Sequence, residues 1–70
     1  MKYKISKKVG LKIARLRKKQ KITQEKLAEK IGFHVSSLGR IERAESNPPV
    51  PTLEKIARAL KIPLSELFSA

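Results

Sequence analysis

Residues 24–43 read QEKLAEKIGFHVSSLGRIER, a pattern of two short helical segments separated by a glycine. Its first half places apolar side chains at helical spacing, which predicts a helix from Gln24 to Ile31 with Thr23 as its N-cap. Gly32 ends this helix, because a residue without a Cβ takes a positive φ at little cost and lets the chain turn sharply. A second short helix is expected from about Val35 to Arg43. The stretch therefore predicts two helices that pack closely on either side of a tight turn.

Three further helices are expected on either side of this pair. The first runs over Ser6–Lys19, with its apolar residues on one stripe. Pro51-Thr52 opens the fourth, and Pro63 separates a short fifth helix, Leu64–Phe68. No stretch alternates between apolar and polar residues as a half-buried strand does. The predicted fold is all-α: one domain over residues 1–70, built as a compact five-helix bundle.

The charge of the chain points to a polyanionic partner. Lys and Arg number 17 against 6 acidic residues, which gives a formal net charge of +11 in 70 residues. The excess is uneven, since residues 1–30 hold twelve of the basic side chains and residues 31–70 hold five. One side of the protein is therefore expected to face phosphate groups. The basic stripe of the first helix has a second interpretation, an ordinary solvated face, and both remain open.

Composition argues against several classes of protein. The chain has no Cys and one His, so neither a disulfide scaffold nor a metal site built from Cys or His clusters is expected. No apolar run approaches the roughly 18 residues that span a membrane. The sequence shows none of three patterns typical of an enzyme site: a nucleophile with its base, a carboxylate pair, or a phosphate-binding glycine loop. We therefore expect a binding domain of the reducing cytoplasm, without cofactor, metal or membrane partner.

The chain resembles the lambda-repressor-like family, also called the Cro and Xre type of helix-turn-helix. The matching residues are 22–28 (ITQEKLA), 40–43 (RIER), 53–60 (LEKIARAL) and 65–68 (SELF). The resemblance implies that the second helix of the pair, residues 35–43, is a recognition helix that docks in the major groove of double-stranded DNA. It also implies a sequence-specific transcription regulator, with repression expected ahead of activation.

The resemblance assigns base reading to Val35 and Ser36 in the first turn of the recognition helix and to Arg40 one turn later. Helical geometry agrees for Ser36 and Arg40, which point away from the apolar Leu38 and Ile41. Arginine suits this role because its guanidinium donates two hydrogen bonds to guanine O6 and N7. Two roles are open for Val35: contact with a thymine methyl group, or cover for the edge of the core.

Phosphate contacts are expected around the recognition helix. The resemblance implies that Gln24 touches a phosphate or supports a reading side chain, and the helix N-terminus at this position favours an anion. His34 is expected to be an imperfect N-cap with its ring near a phosphate. The other candidates for phosphate contact are all basic: Arg43, Lys7, Lys8, Lys12 and Lys18.

Two further residues of the recognition helix raise structural questions. Glu42 lies toward its apolar side and Arg17 flanks the apolar stripe of the first helix, so we expect the two to pair. The resemblance implies the same ion pair, partly buried between the helices. Gly39 costs about 1 kcal/mol relative to Ala inside a helix. Close approach to DNA, favoured by the outward direction of Gly39, and tight packing against the preceding helix are the two explanations.

A homodimer is expected, at least on DNA, because two recognition helices about 34 Å apart read a short palindromic operator. Leu64, Leu67 and Phe68 are the candidate interface, with closure of the core as the alternative. Glu25 and Glu29 lie at i,i+4 spacing on one helix. They are candidates for contact with RNA polymerase, and pairing with nearby lysines is the simpler interpretation.

The main competing function is a protein-interaction module of the same fold, as in antitoxins or bridging proteins. Such proteins usually carry extra segments, and the sequence stops at Ala70, so we expect this function second. RNA binding is expected third, because the deep, narrow groove of A-form RNA does not admit a rigid recognition helix.

Overall fold

The computed structural model describes residues 7–68 as four α-helices and one C-terminal 3-10 turn. The helices are α1 (Lys7–Lys19), α2 (Gln24–Ile31), α3 (Val35–Glu42) and α4 (Val50–Ala59), and the 3-10 turn is Leu64–Phe68. The described residues contain no strand, so the expected all-α class is confirmed. Ser6, the expected first residue of α1, lies outside the described residues.

The expected fifth α-helix is wrong, because its residues form a single 3-10 turn. Glu66 N–H donates to the Pro63 carbonyl at 3.0 Å, which is the i→i+3 bond of a 3-10 helix. The segment has only 5 residues. So short a segment makes too few i→i+4 bonds to offset the cost of nucleating an α-helix.

All four α-helices end in the same kind of cap, a residue with positive φ after the last turn. These residues are Gly32 at 74° and Lys21, Ala44 and Lys61 at 60° each. After α3, the Ala44 N–H donates to the Ile41 carbonyl at 3.0 Å. The next N–H, of Glu45, donates to the Arg40 carbonyl at 2.8 Å, which completes a Schellman motif. Only Gly32 is predictable from the sequence, since glycine is the residue that usually marks this cap.

The core is closed by side chains from every element. Its fully buried large side chains are Ile13, Leu27, Leu38, Ile56, Leu60 and Leu67. Because the 3-10 turn packs on α1 and α4, Leu67 fills the core of its own chain, and Leu64 is half-buried against it. These positions correct the expected dimer interface. Of its three residues only Phe68 is exposed, by 58%.

Candidate nucleic-acid interface

The end of α3 is anchored by a buried ion pair. Arg17 Nε donates to Glu42 Oε2 at 2.7 Å, and Arg17 Nη2 donates to Glu42 Oε1 at 3.2 Å. The remaining nitrogen, Arg17 Nη1, donates to the Ile22 carbonyl at 2.8 Å. Arg17 and Glu42 are each 7% exposed. The pair expected from the sequence therefore forms, and it holds the C-terminal end of α3 against α1.

Gln24, the first residue of α2, is tied to the same carboxylate. Its Nε2 donates to Glu42 Oε1 at 2.9 Å, and its side chain is half-buried. One amide N–H is therefore directed inward, while the amide keeps a second N–H and a carbonyl oxygen for other partners. This bond joins the start of α2 to the end of α3; because Glu42 is not one of the expected reading residues, support of a reading side chain by Gln24 stays a prediction. Its contact with phosphate stays a prediction.

The predicted base-reading residues lie on the exposed side of α3. Val35 is 41% exposed, and Ser36 and Arg40 are also exposed. The exposure of Val35 favours contact with a partner over cover for the core. His34 is the N-cap of α3, and its side chain makes no capping hydrogen bond, as expected of an imperfect cap. The side chains of His34, Val35 and Ser36 at the start of α3 are therefore open to a ligand.

Arg40 stands beside a shallow cavity between α3 and the loop at residues 46–49. The cavity has a volume of about 260 Å³, and Phe33 and Ser37 are among its lining residues. The Arg40 guanidinium forms no hydrogen bond or ion pair within the described part of the chain. Its donors are therefore available to a partner.

Gly39 is buried, although helical geometry points it away from the core. A Cβ at this position would lie 3.1 Å from Arg43 Nη1 and 3.8 Å from Gln24 Nε2. Side chains from the end of α3 and the start of α2 thus cover this glycine. Of the two explanations for Gly39, this cover favours packing against α2 over close approach of DNA. The missing Cβ instead lets two polar side chains lie against the backbone of α3.

Arg43 forms a two-pronged ion pair with Glu45, just beyond α3. Arg43 Nε donates to Glu45 Oε2 at 3.0 Å and Arg43 Nη2 donates to Glu45 Oε1 at 3.2 Å, with side chains 59% and 54% exposed. The hydrogen bond and the charge of Arg43 lower the pKa of Glu45, and Glu45 raises the pKa of Arg43 in the same way. Sequence reasoning missed this pair because side chains at i,i+2 do not face each other on a helix. The turn at Ala44 brings the two together.

The predicted lysine contacts separate into two groups. Lys7, Lys8 and Lys18 are exposed on α1. Lys12 differs, because its Nζ lies 3.4 Å from Glu66 Oε2 and its side chain is 17% exposed. The packing of the 3-10 turn on α1 creates this contact. It counts against Lys12 as a phosphate contact.

Glu25 and Glu29 are both exposed on α2. Glu29 Oε1 lies 3.6 Å from Lys26 Nζ, a pair at i,i+3 spacing. Glu25 has no ion-pair partner among the residues that the structure describes. Lysine pairing therefore accounts for one of the two acids.

Residues 7–68 hold neither a membrane-spanning helix nor a metal-binding cluster of side chains. None of the helices in this range is long and apolar enough to cross a bilayer. The same residues contain no group of three His, Cys, Asp or Glu side chains placed to share a metal ion.

Sequence comparison places the helix pair among known proteins. The sequence pattern of the helix-turn-helix family matches residues 13–67. An immunity repressor protein of Bacillus phage phi105 is 46% identical over 59 residues, a match that covers 84% of this chain and 41% of the repressor. The chain thus spans less than half the length of this relative.

Comparison with solved structures agrees with the sequence comparison. The restriction-modification controller protein C.AhdI from Aeromonas hydrophila has a TM-score of 0.85 at 36% identity, covering 87% of this chain and 92% of that one. SinR, the master regulator of biofilm formation from Bacillus subtilis, was solved in complex with DNA. It has a TM-score of 0.80 at 34% identity, covering 87% and 98% of the two chains. By its sequence and by the arrangement of α2 and α3, the chain belongs to the helix-turn-helix family.

Proposed function

We propose that this chain is a sequence-specific DNA-binding transcription regulator that acts in the cytoplasm as a repressor. In this proposal α3 lies in the major groove of double-stranded DNA, with Val35, Ser36 and Arg40 toward the base edges. One observation carries it: these side chains share the exposed side of a short helix whose end is held by the buried Arg17–Glu42 pair. Because the backbone of a helix fixed in this way is already ordered, only the reading side chains lose conformational entropy at binding.

Charge and relatives support the same class of partner. A net charge of +11 favours association with the phosphate backbone. The phage relative is named an immunity repressor, and the SinR structure contains DNA. The proposed phosphate contacts are Arg43, Lys7, Lys8, Lys18, His34 and the free amide groups of Gln24. The role proposed for the chain is binding, and no catalytic step is assigned to it.

Selection of bound sequences from random duplex DNA, at two salt concentrations, tests the proposal. A short palindrome whose preference survives the higher salt supports it. Binding without a motif that disappears as salt rises contradicts it. That second outcome favours the competing protein-interaction function.

Repeating the selection with Arg40→Ala tests the reading residue. Loss of a bidentate contact with guanine relaxes discrimination at one base pair by about 1–3 kcal/mol. The matched control is Arg58→Ala, an exposed arginine on α4 outside the proposed reading face, which leaves the motif unchanged. Uniform weakening across all sequences reassigns Arg40 to a phosphate contact.

We also propose a homodimer, at least on DNA, because one α3 reads about one half-site. Phe68 is the exposed residue that remains of the expected interface, so the contact between copies involves Phe68 and excludes Leu67. Phe68→Ser is expected to weaken binding to a palindrome and to leave binding to an isolated half-site unchanged. Equal affinities of the variant and the wild type for the palindrome contradict this interface.

For promoters that the protein activates, we propose contact with RNA polymerase through Glu25 and Glu29. The supporting observation is that both carboxylates are exposed and Glu25 has no ion-pair partner in the described range. Reversing both charges is expected to abolish activation and to leave operator binding intact. Loss of operator binding in the same variant speaks for a structural role.

A further inference from the structure

The Arg43–Glu45 ion pair lies at the edge of the proposed reading face, and the function proposed above does not use it. The Glu45 carboxylate holds Arg43 Nε and Nη2 at 3.0 and 3.2 Å. The third nitrogen, Arg43 Nη1, lies over Gly39, 3.1 Å from the position of an added Cβ. The Glu45 carboxylate therefore holds one edge of the guanidinium, and Nη1 lies near Gly39 on the other side.

We propose that Glu45 is a specificity-determining residue that acts through Arg43 by lowering the affinity for nonspecific DNA. With Nε and Nη2 bonded to Glu45, Arg43 presents Nη1 as its remaining donor to a phosphate beside α3, and Glu45 offsets its charge. A free arginine reaches phosphates in many orientations and adds affinity for DNA of any sequence. The inference rests on the proposed function, since it requires that α3 reads an operator.

The phosphates near Arg43 are expected to lie in one fixed position on the operator and in varied positions on nonspecific DNA. On the operator α3 lies at a fixed depth in the groove, so a phosphate beside its C-terminal end meets the oriented Nη1 while the ion pair stays closed. On other sequences the phosphates take varied positions, and Arg43 follows them only by leaving Glu45. A solvent-exposed ion pair changes an equilibrium constant by at most about a factor of five. Because Arg43 and Glu45 share two parallel hydrogen bonds, we expect the effect of this pair to lie toward the upper end of that range.

The first test compares Glu45→Gln with Glu54→Gln, which removes the same charge from an exposed side chain on α4. For Glu45→Gln we expect affinity for nonspecific duplex to rise about two- to fivefold at moderate salt. The slope of log K against log salt on that duplex steepens by about 0.9, the value for one more neutralised phosphate. Operator affinity changes less, so the ratio of operator to nonspecific affinity falls. Glu54→Gln leaves the ratio unchanged.

A second pair of variants separates action through Arg43 from direct repulsion between Glu45 and DNA. In an Arg43→Gln background, adding Glu45→Gln is expected to produce no further gain in nonspecific affinity. An equal gain in both backgrounds overturns the inference, as does an unchanged affinity ratio for Glu45→Gln alone. If the wild-type chain shows no operator preference at all, the proposed function fails, and the inference fails with it.

Discussion

Gly10 of α1 lies directly against the backbone of Glu42 at the end of α3. A Cβ at Gly10 would stand 2.5 Å from the Glu42 carbonyl oxygen and 2.9 Å from the Ile41 carbonyl oxygen, closer than real Cβ atoms come. The two helices reach this separation only because position 10 carries no side chain. The contact therefore helps to set where α3 sits relative to α1.

Gly10→Ala is expected to lower the free energy of unfolding by about 1–3 kcal/mol, because the added methyl group forces one of the helices to move. Each kcal/mol corresponds to a fall of about 4–8 °C in Tm for a domain of this size, measurable by thermal circular dichroism. In an unhindered helix the same substitution stabilises by about 1 kcal/mol. The sign of the change is thus decisive, and a higher Tm would contradict the close contact.

Ala44→Gly is expected to stabilise the protein by about 1 kcal/mol, because Ala44 has a φ of 60° and glycine takes this conformation without steric cost. Gly32→Ala is the converse substitution, which adds a Cβ at a positive φ of 74°. The surroundings of Gly32 leave room for this Cβ, so no steric clash adds to the effect. Backbone conformation alone is therefore expected to destabilise that variant by a similar amount. Urea unfolding measures both, and shifts of the same sign would contradict this account.

Glu42→Ala removes the acceptor of both Arg17 and Gln24 and leaves a buried guanidinium without its counter-charge. The expected loss in the free energy of unfolding is about 3–5 kcal/mol. Gln24→Ala is the control, because it removes one hydrogen bond of a half-buried side chain and leaves the ion pair, at a cost of about 1 kcal/mol. Equal losses in the free energy of unfolding for the two variants would show that the ion pair does not account for most of the contribution of Glu42 to stability.

Lys18→Gln and Lys12→Gln are expected to differ in the salt dependence of DNA binding. Lys18 is exposed, so if it meets a phosphate its loss reduces the slope of log K against log salt by about 0.9. Lys12 is held by Glu66, and its loss leaves the slope unchanged. A reduced slope for Lys12→Gln would mean that DNA draws Lys12 away from Glu66.

Carboxyl NMR titration checks the Arg43–Glu45 pair in the free protein. Arg43 lowers the pKa of Glu45 from its ordinary value of 4.5, and Arg43→Gln is expected to bring it back toward 4.5. The contribution of the pair to stability is therefore fully present above pH 4.5 and is lost as the pH falls through the lowered pKa of the folded state. A Glu45 titration that is the same in both proteins would contradict the pairing.

The part of the fold predicted best is the stretch from Thr23 to Gly32. Its signals are local: the Thr23 hydroxyl accepts from Lys26 N–H at 3.1 Å, and Gly32 takes the positive φ that its missing Cβ permits. The C-terminal segment was predicted less well. Its apolar pattern indicates a helix, but five residues after a proline do not choose between an α-helix and a 3-10 turn by pattern alone.

The four α-helices and their buried faces follow from the sequence, because periodicity and capping act within a helix turn or two. The Arg17–Glu42 pair joins residues 25 apart, and it was expected from two charges beside apolar stripes together with the family resemblance. Packing between elements, by contrast, places Leu67 in the core and Lys12 beside Glu66. The same packing covers Gly39 with Gln24 from α2. Such contacts depend on where elements distant in sequence come to rest, and the direction of a side chain on its own helix does not specify what arrives from another.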